Sequence, residues 1–269
     1  PNIHVKLSGD NSLNKRSMKS LIKLMNEFGA TFIPKKKYNF PLKLISSSMP
    51  VGINYQAGVS AQLKSAVMLA GLNSYGNTSI TEVQRSRDHT ENILFKNSKV
   101  IKVKNRKRKI ITIFGKRNLN SFKIEVPNDP SSAAFFTALT LLNKKSSLKI
   151  KNVGLNPTRT GFYQILKKQG AKINFKNLNK NNNELRGDIL IKSCNLKPIQ
   201  ASKFYYTNMT DEYPILFVIA ALTKGVSSFK GIGDLVNKES NRIKEMQKIL
   251  EQIDVKSKFF RNELKIFGK

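Results

Sequence analysis

Cationic side chains recur where predicted strands lead into predicted helices. Arg16 lies in SLNKRSM, Arg87 in SRDHTE, Arg159 in NPTRTGF, and Lys238 with Arg242 in VNKESNR. A helix start offers unpaired N–H groups and the positive end of the helix dipole, and an added cation suits it to bind phosphate or carboxylate. One such residue alone is typical of an exposed surface. Recurrence at equivalent junctions favours an anion-binding role instead.

Carboxylates stand at one of these junctions and at the start of an apolar helix. Asp211 and Glu212 directly precede the apolar run 213–222, and Glu239 stands between two cations. Acids at a helix start suit the dipole, so capping explains one of the first pair. Two carboxylates in different surroundings have separated pKa values, and such a pair would suit one general acid and one general base.

Polar side chains also open the apolar helices. Ser60 and Gln62 lie at the start of one of them, where they can cap the helix or hydrogen-bond a phosphate. Asp129 and Ser131 open the next, and with no cation nearby in the sequence they predict an N-cap and a hinge. His89, at another helix start, is equally consistent with a cap and with a substrate contact.

Several classes of site are not indicated. Two distant histidines and one cysteine give no metal-ligand spacing, and neither GxGxxG nor GxxxxGK[ST] occurs. Cys194 has no cationic helix start near it in the sequence, so we expect an inert thiol, and a single cysteine favours a cytoplasmic setting. The longest apolar runs, of about ten residues, are too short to cross a membrane.

The charge balance is strongly basic. Among 269 residues, 48 Lys and Arg oppose 17 Asp and Glu, which gives a net charge of +31. Such a balance attracts nucleic acids, acidic membranes and phosphorylated metabolites alike. The lysines are spread along the whole chain together with many Asn and Ile, which is typical of a general compositional bias. Charge therefore does not identify the partner.

Two kinds of segment alternate along the chain. The first is a strand, a polar loop with Arg or Lys and an amphipathic helix; it starts at Val5, Ile80, Ile150 and Phe229, at intervals of about 75 residues. The second is a strand followed by a nearly all-apolar helix, which we expect to be buried on every side. The alternation predicts an α/β architecture of three units, the first of them incomplete, with helices sheltered by sheets.

Turn-forming residues near 126–127 predict a hinge between two lobes, 1–126 and 127–269. In the first lobe, the alternation over 96–118 predicts a hairpin with a charged tip that has no aromatic residue to stack on a base. In the second lobe, the polar tract 177–183 predicts a loose surface loop.

Five strings, taken in order, resemble one enzyme family, 5-enolpyruvylshikimate-3-phosphate (EPSP) synthase: GVSAQLKSA, SRDHTE, DPSSAAFF, NPTRTGF and KESNR. The resemblance spans essentially the whole chain, and SAQ followed by SRDHTE suggests a bacterial form. It implies a two-lobed enolpyruvyl transferase fold, an inside-out α/β barrel of repeated βαβαββ units, here incomplete at both ends. This implied repeat agrees with the alternation of segments described above.

The resemblance implies transfer of the enolpyruvyl group of phosphoenolpyruvate to the 5-hydroxyl of shikimate 3-phosphate, with release of phosphate, in aromatic amino acid biosynthesis. It implies no metal and no organic cofactor, no specific nucleic acid and no membrane partner, and a cytoplasmic monomer at full length. Several of the family's phosphate-binding segments are missing at both ends. We therefore expect the full gene product to be active and these 269 residues alone to be inactive.

The family's binding residues for shikimate 3-phosphate fall on two polar helix starts. By position, the resemblance implies that this substrate is held by Ser60, Ala61, Gln62, Ser86 and Arg87. Gln62 would also reach phosphoenolpyruvate. Serine and glutamine can hydrogen-bond phosphate oxygens, and arginine can meet them through two hydrogen bonds at once.

The remaining implied site residues lie at the other junctions. Arg16 and Arg242 would grip phosphoenolpyruvate, since a planar guanidinium matches phosphate and carboxylate. Lys238 would contact the 5-hydroxyl region of shikimate 3-phosphate. Asp211 would bind the reacting hydroxyl and transfer a proton, and Glu239 would be the second proton-transfer group.

Departures from the family pattern affect loops rather than proposed catalytic groups. Ser17 replaces a proline, Asn128 replaces a glycine, and Val236 and Asn241 replace an Arg and an Asp. Replacing a glycine destabilises a loop if φ is positive there.

Two other functions stay open on sequence alone. A UDP-N-acetylglucosamine enolpyruvyl transferase shares the fold and the donor, although SAQ and SRDHTE argue against it. A basic nucleic-acid-binding protein would show steeply salt-dependent binding.

Overall fold

The chain folds as two separately packed units. A computed structural model describes residues 3–96, 99–105, 107–237 and 240–269. Its contacts divide the chain into Pro1–Lys123 and Ile124–Lys269, a boundary close to the turn-forming residues near 126–127.

The first unit holds two sheets and four α-helices within its described residues. Its elements are β1 (His4–Leu7), α1 (Asn11–Lys15), α2 (Lys19–Glu27), β2 (Thr31–Ile33), β3 (Leu42–Ile45), β4 (Asn54–Ala57), α3 (Ala61–Asn73), β5 (Asn77–Glu82), α4 (His89–Leu94), β6 (Ile101–Asn105) and β7 (Lys109–Phe114). The strand orders are β1-β3-β2, which is antiparallel, and β4-β5-β7-β6, in which β4 and β5 are parallel. The β6–β7 pair confirms the predicted hairpin.

The second unit also holds two sheets and four α-helices within its described residues. Its elements are α5 (Pro130–Leu142), β8 (Ser147–Gly154), a 3-10 helix (Pro157–Arg159), α6 (Gly161–Lys168), β9 (Lys172–Asn181), β10 (Glu184–Lys192), β11 (Gln200–Ala201), a 3-10 helix (Lys203–Asn208), α7 (Tyr213–Ala221), β12 (Gly225–Lys230), a 3-10 helix (Gly233–Asn237), α8 (Arg242–Gln252), β13 (Ser257–Phe260) and β14 (Glu263–Gly268). The strand orders are β8-β10-β9 and β11-β12-β14-β13.

The predicted βαβαββ repeat is confirmed. It runs once as β4–α3–β5–α4–β6–β7 and again as β11–α7–β12–α8–β13–β14, with the same sheet order both times. Between them lies a third copy, α5–β8–α6–β9–β10, whose first strand is reduced to one bridge between Asn128 and Val153. Each sheet is open, so the strands that the structure describes form no closed barrel.

The two predicted helix types differ in burial, but two of the apolar helices are not buried on every side: α3 leaves Leu69 55% exposed, and α5 is the clearer case. Amphipathic α2 buries Ile22 and Leu24. Apolar α5 was expected to be buried on every side, and this prediction is wrong: Phe135, Phe136 and Leu139 are 57%, 59% and 61% exposed. The reason is that α5 packs against β8, β10 and α7, which cover one of its faces.

The predicted loop over 177–183 is also wrong, because β9 and β10 form a hairpin across it. The hairpin turns at Asn182 and Asn183, whose φ values of 54° and 61° lie in the left-handed region that asparagine tolerates. Asn177, with φ 52°, stands near the bulge in the ladder and donates from Nδ2 to Oδ2 of Asp188 at 2.7 Å. Polar residues here pair strands at an exposed surface.

Candidate active site

The start of α3 is built by a serine cap. Ser60 adopts an extended backbone, and its Oγ accepts a hydrogen bond from the N–H of Leu63 at 3.3 Å. Ala61 and Gln62 follow in the first turn, and Gln62 is exposed. The capping alternative for Ser60 is therefore realised. The neighbouring backbone N–H groups and the Gln62 side-chain amide lie at the N-terminus of the helix, which is a position suited to binding an anion.

The segment between β5 and α4 carries the second predicted group. Ser86 is 2% exposed, and its N–H and Oγ donate to Oε1 of Glu82 at 2.9 and 2.8 Å. Arg87 follows and is half-buried, and His89 begins α4. Burial alone would raise the pKa of Glu82, but hydrogen bonds from Lys64 and Ser86 outweigh it and hold that pKa below its usual value.

Sequence reasoning missed the ion pairs beneath these helix starts. Lys64 Nζ lies 2.8 Å from Oε1 of Glu82 and 2.8 Å from Oε1 of Glu91, and the three side chains are 0%, 0% and 2% exposed. The available signal was a lysine in an otherwise apolar helix, since a buried ammonium requires a carboxylate partner. Within the first unit, this pairing brings the α3 start close to the Ser86–Arg87 segment.

Arg16 lies at the end of α1, before α2 begins. Its N–H donates to the carbonyl of Leu13 at 3.1 Å and closes the short helix, which Asp10 caps at the other end by accepting from the N–H of Leu13 at 2.7 Å. The residue is exposed. The predicted junction between polar loop and amphipathic helix is thus present.

In the second unit, Asp211 and Arg242 come together from different elements. Arg242 is the first residue of α8, and its Nη1 lies 3.6 Å from Oδ1 of Asp211, just before α7. The Asp211 side chain is 43% exposed and the Arg242 side chain 26%. A carboxylate and a guanidinium meet here at two helix starts and remain accessible. Lys238 and Glu239, the other predicted site residues of this unit, lie outside the described residues.

Two departures from the family pattern are accommodated by the backbone. Asn241 is the N-cap of α8, and its Oδ1 accepts from the N–H of Lys244 at 3.0 Å, as an aspartate there would. The φ of Asn128 does not lie in the left-handed region, so replacing glycine introduces no strain. Its Nδ2 donates to the carbonyl of Lys151 at 3.0 Å.

A second polar network lies beside Asp211. Arg159 Nη2 donates to Oδ1 of Asp129 at 2.9 Å and to Oγ of Ser131 at 2.6 Å, and Ser131 in turn donates to Glu212. Glu212 is 2% exposed. Burial opposes ionisation of Asp129, but hydrogen bonds from Ser132 and the charge of Arg159 lower its pKa.

One prediction for this region is confirmed, and one needs correction. Asp129 is the N-cap of α5, as predicted, accepting from the N–H of Ser132 at 2.9 Å. The absence of a nearby cation holds only along the sequence, because folding brings Arg159 to Asp129. Glu212 occupies the N-cap position of α7 but makes no capping hydrogen bond with its side chain, which bonds Ser131 instead.

Two other kinds of site are absent from the part of the chain that the structure describes. Across the described residues, no three His, Cys, Asp or Glu side chains come together as a metal site. Among those residues, too, no helix is both long enough and apolar enough to cross a membrane. Cys194 is a half-buried free thiol that packs against the core of the second unit.

Comparison with known proteins identifies the family. The family model for EPSP synthase (3-phosphoshikimate 1-carboxyvinyltransferase) matches residues 1–268. The chain belongs to the EPSP synthase family. It is 40% identical over 264 residues to the 3-phosphoshikimate 1-carboxyvinyltransferase of Thermodesulfovibrio yellowstonii. The matched region covers 97% of this chain and 61% of that relative. The corresponding enzyme of Aquifex aeolicus is 37% identical over 266 residues, covering 97% and 62%.

Solved structures agree with this membership. The EPSP synthase of Acinetobacter baumannii matches with a TM-score of 0.82 and 35% identity, over 100% of this chain and 60% of that one. The enolpyruvyl transferase NikO of Streptomyces tendae shares the fold, with a TM-score of 0.67 at 12% identity, over 98% of this chain and 60% of that one. The chain thus spans about three fifths of the length of the EPSP synthases it matches.

Proposed function

We propose that the chain is part of an enzyme that transfers the enolpyruvyl group of phosphoenolpyruvate to the 5-hydroxyl of shikimate 3-phosphate. Membership of the EPSP synthase family supports this proposal. The observation that carries it is the pairing of Asp211 with Arg242 at 3.6 Å, where two helix starts meet. A guanidinium that can hold an acidic substrate beside an accessible carboxylate is what addition of a hydroxyl to an enol phosphate requires.

The proposed chemistry has two steps. The substrate hydroxyl adds to C2 of phosphoenolpyruvate while the methylene carbon takes up a proton, which gives a tetrahedral intermediate. Loss of that methyl proton and departure of phosphate then restore the double bond. Asp211 holds the reacting hydroxyl and accepts its proton, Glu239 is the second proton-transfer group, and Arg242 neutralises charge on phosphoenolpyruvate.

The first unit supplies the proposed contacts to shikimate 3-phosphate. The capped α3 start presents backbone N–H groups and the exposed Gln62 amide, and the neighbouring segment presents Arg87. Backbone donors with a helix dipole and one guanidinium suit a phosphate monoester. Arg16 is assigned to phosphoenolpyruvate and Lys238 to the hydroxyl region by the family pattern.

Phosphate release from the two substrates tests this function. The assay uses a protein that contains this chain and has the full length of its relatives. We expect Asp211→Asn to lower kcat by about 100-fold or more while the protein stays folded. Lys149→Met, which removes a half-exposed lysine paired with Asp188, is the matched control and keeps its rate. Absence of phosphate release from the unmodified protein would contradict the proposal.

Substrate choice separates this proposal from the related transferase. Shikimate 3-phosphate should raise the melting temperature of the protein, and UDP-N-acetylglucosamine should not. The opposite preference would favour the transferase that acts on the nucleotide sugar. We also propose that the full-length protein is a monomer that needs no cofactor. We propose a cytoplasmic setting for it, which its single cysteine supports.

A further inference from the structure

The buried cluster of Lys64, Glu82, Glu91 and Lys109 joins four elements of the first unit. Lys64 belongs to α3, Glu82 ends β5, Glu91 lies on α4 and Lys109 begins β7. Lys109 Nζ is 3.1 Å from Oε1 of Glu91 and 3.6 Å from Oε2 of Glu82, so it supports the same two carboxylates as Lys64. Buried charges are tolerated only when paired, and each charge therefore fixes the position of the others.

One arm of this cluster reaches the α3 start. Lys64 lies one turn into α3, and its N–H donates to the carbonyl of Ser60 at 3.2 Å. The next residue, Ser65, shares a hydrogen bond with Thr90 of α4 at 2.7 Å between their hydroxyl oxygens. The orientation of the α3 start relative to α4 is thus set by two polar contacts, one ionic and one neutral.

The other arm reaches the segment before α4 through Glu82. Oε1 of Glu82 accepts from the Lys64 ammonium and from both donors of Ser86, its N–H and its hydroxyl. A serine has one hydroxyl hydrogen, and here that hydrogen is given to Glu82. In this arrangement Ser86 fixes the backbone that carries Arg87.

We propose that Lys64 is a positioning residue for shikimate 3-phosphate, acting through Glu82 and Ser86 on Arg87 and through α3 on the N–H groups that follow Ser60. The proposal deepens the proposed function and rests on it. Lys64 itself touches no substrate, since its side chain is fully buried and both of its carboxylate partners lie inside the unit. Its positive charge holds two groups of phosphate ligands in one geometry.

The expected signature is a selective loss of one substrate. Lys64→Met leaves two buried carboxylates with only Lys109 to neutralise them, so the two ligand groups lose their fixed relation. We expect KM for shikimate 3-phosphate to rise about tenfold or more, because small misplacements of binding groups have large effects. KM for phosphoenolpyruvate should rise less, because only one of its proposed ligands, Gln62, lies at the α3 start.

Steady-state kinetics test the proposal. The protein used contains this chain and has the full length of its relatives. Circular dichroism and thermal melting give the folded fraction of each variant. Lys64→Arg keeps the charge and should recover part of the affinity for shikimate 3-phosphate. Lys149→Met, which removes a paired lysine from the second unit, should leave both KM values unchanged.

A merely structural role would give a different result. In that case kcat would fall in proportion to the folded fraction while both KM values stayed constant, and the proposal would be overturned. If Lys64→Met does not fold, Glu82→Gln decides, because it removes the carboxylate charge that links Lys64 to Ser86 and keeps both of those residues. An unchanged KM for shikimate 3-phosphate in folded Glu82→Gln would equally overturn the proposal.

The proposed function and the positioning role of Lys64 can fail separately. An unmodified protein that releases no phosphate from the two substrates overturns the proposed function and, with it, the role of Lys64. An active protein whose folded Lys64→Met variant keeps its KM for shikimate 3-phosphate overturns the positioning role alone.

Discussion

At the scale of single residues, Arg159 is the cation that the second unit uses to join two helix starts. Its guanidinium contacts Asp129 at the beginning of α5 and Ser131 two residues further, and Ser131 donates a hydrogen bond to Glu212 before α7. Because Asp211 is the adjacent residue, this network sets the backbone from which a proposed catalytic carboxylate extends.

We predict that Arg159→Met lowers the free energy of unfolding by about 2–3 kcal/mol, since it removes the cation from a network that contains a buried carboxylate. Arg159→Lys should lose less, because it keeps the charge but not the planar fork. Urea unfolding of the three proteins measures this. Equal losses in the Met and Lys variants would show that the charge contributes nothing.

Asp188 gives a prediction in pH. The N–H of Asn152, followed by Lys149 and Asn177, hydrogen-bonds its carboxylate and lowers its pKa to about 2. A carboxyl whose folded pKa lies below its ordinary value of about 3.9 stabilises the fold above that value and loses this contribution as the pH falls towards 2.

The measurement compares wild type with Asp188→Asn. The difference in their free energies of unfolding should be largest above about pH 5 and should shrink between about pH 4 and pH 2. Urea unfolding across this range gives the difference directly. A difference that does not change with pH would show that ionisation of Asp188 is not linked to folding.

Which of these residues could be found from the sequence depends on the distance over which their interactions act. The caps by Ser60 and Asp129 were predictable because a cap bonds a backbone group within the next turn. The partners of Lys64 and Arg159 were not, because both pairs form only when separate elements pack together. Asp211 and Arg242 were singled out by their neighbours in sequence, and their mutual contact is again a product of folding.

At the scale of elements, the beginning of α8 determines where Arg242 points. Asn241 caps the helix, so the first residue of α8 is fixed at its N-terminus. Asparagine and aspartate are about equally good caps, and alanine is poor.

We predict that Asn241→Ala lowers the free energy of unfolding by about 1 kcal/mol and that Asn241→Asp changes it little. Amide hydrogen exchange at Lys244 should become faster in the alanine variant, because that N–H loses its acceptor. If exchange at Lys244 is the same in all three proteins, the side chain of Asn241 is not the cap.

The pattern of hydrophobic residues predicted most elements but not their surroundings. Alternating residues predicted the β6–β7 hairpin, and spacing at i, i+3, i+4 and i+7 predicted α2. The end of the β9–β10 hairpin was not predicted, because the residues next to its turn are asparagine and lysine and show no apolar alternation. The exposed face of α5 was not predicted either. An apolar pattern shows that a helix can be buried, but it does not show which elements cover the helix.

At the scale of the whole molecule, the charge of +31 predicts weak and non-specific binding of nucleic acid. We expect fluorescence anisotropy to detect binding to single-stranded RNA at low salt and to lose it by about 0.3 M salt, since such binding arises from counterion release. Submicromolar binding that survives this salt concentration and depends on RNA sequence would instead support a nucleic-acid function.

The two units repeat one order of helices and strands, yet their ionic contacts have opposite polarity. In the first unit the apolar helix α3 contributes the cation, and the surrounding elements contribute the acids. In the second, Asp129 at the start of α5 pairs with the guanidinium of Arg159, and Glu212 at the start of α7 is joined to that guanidinium through Ser131. Grafting α3 into the place of α5 would separate Lys64 from Glu82 and Glu91 and would leave Arg159 without Asp129. The copies are therefore not interchangeable parts, and a chimera would have to exchange each helix together with its counter-charged loop.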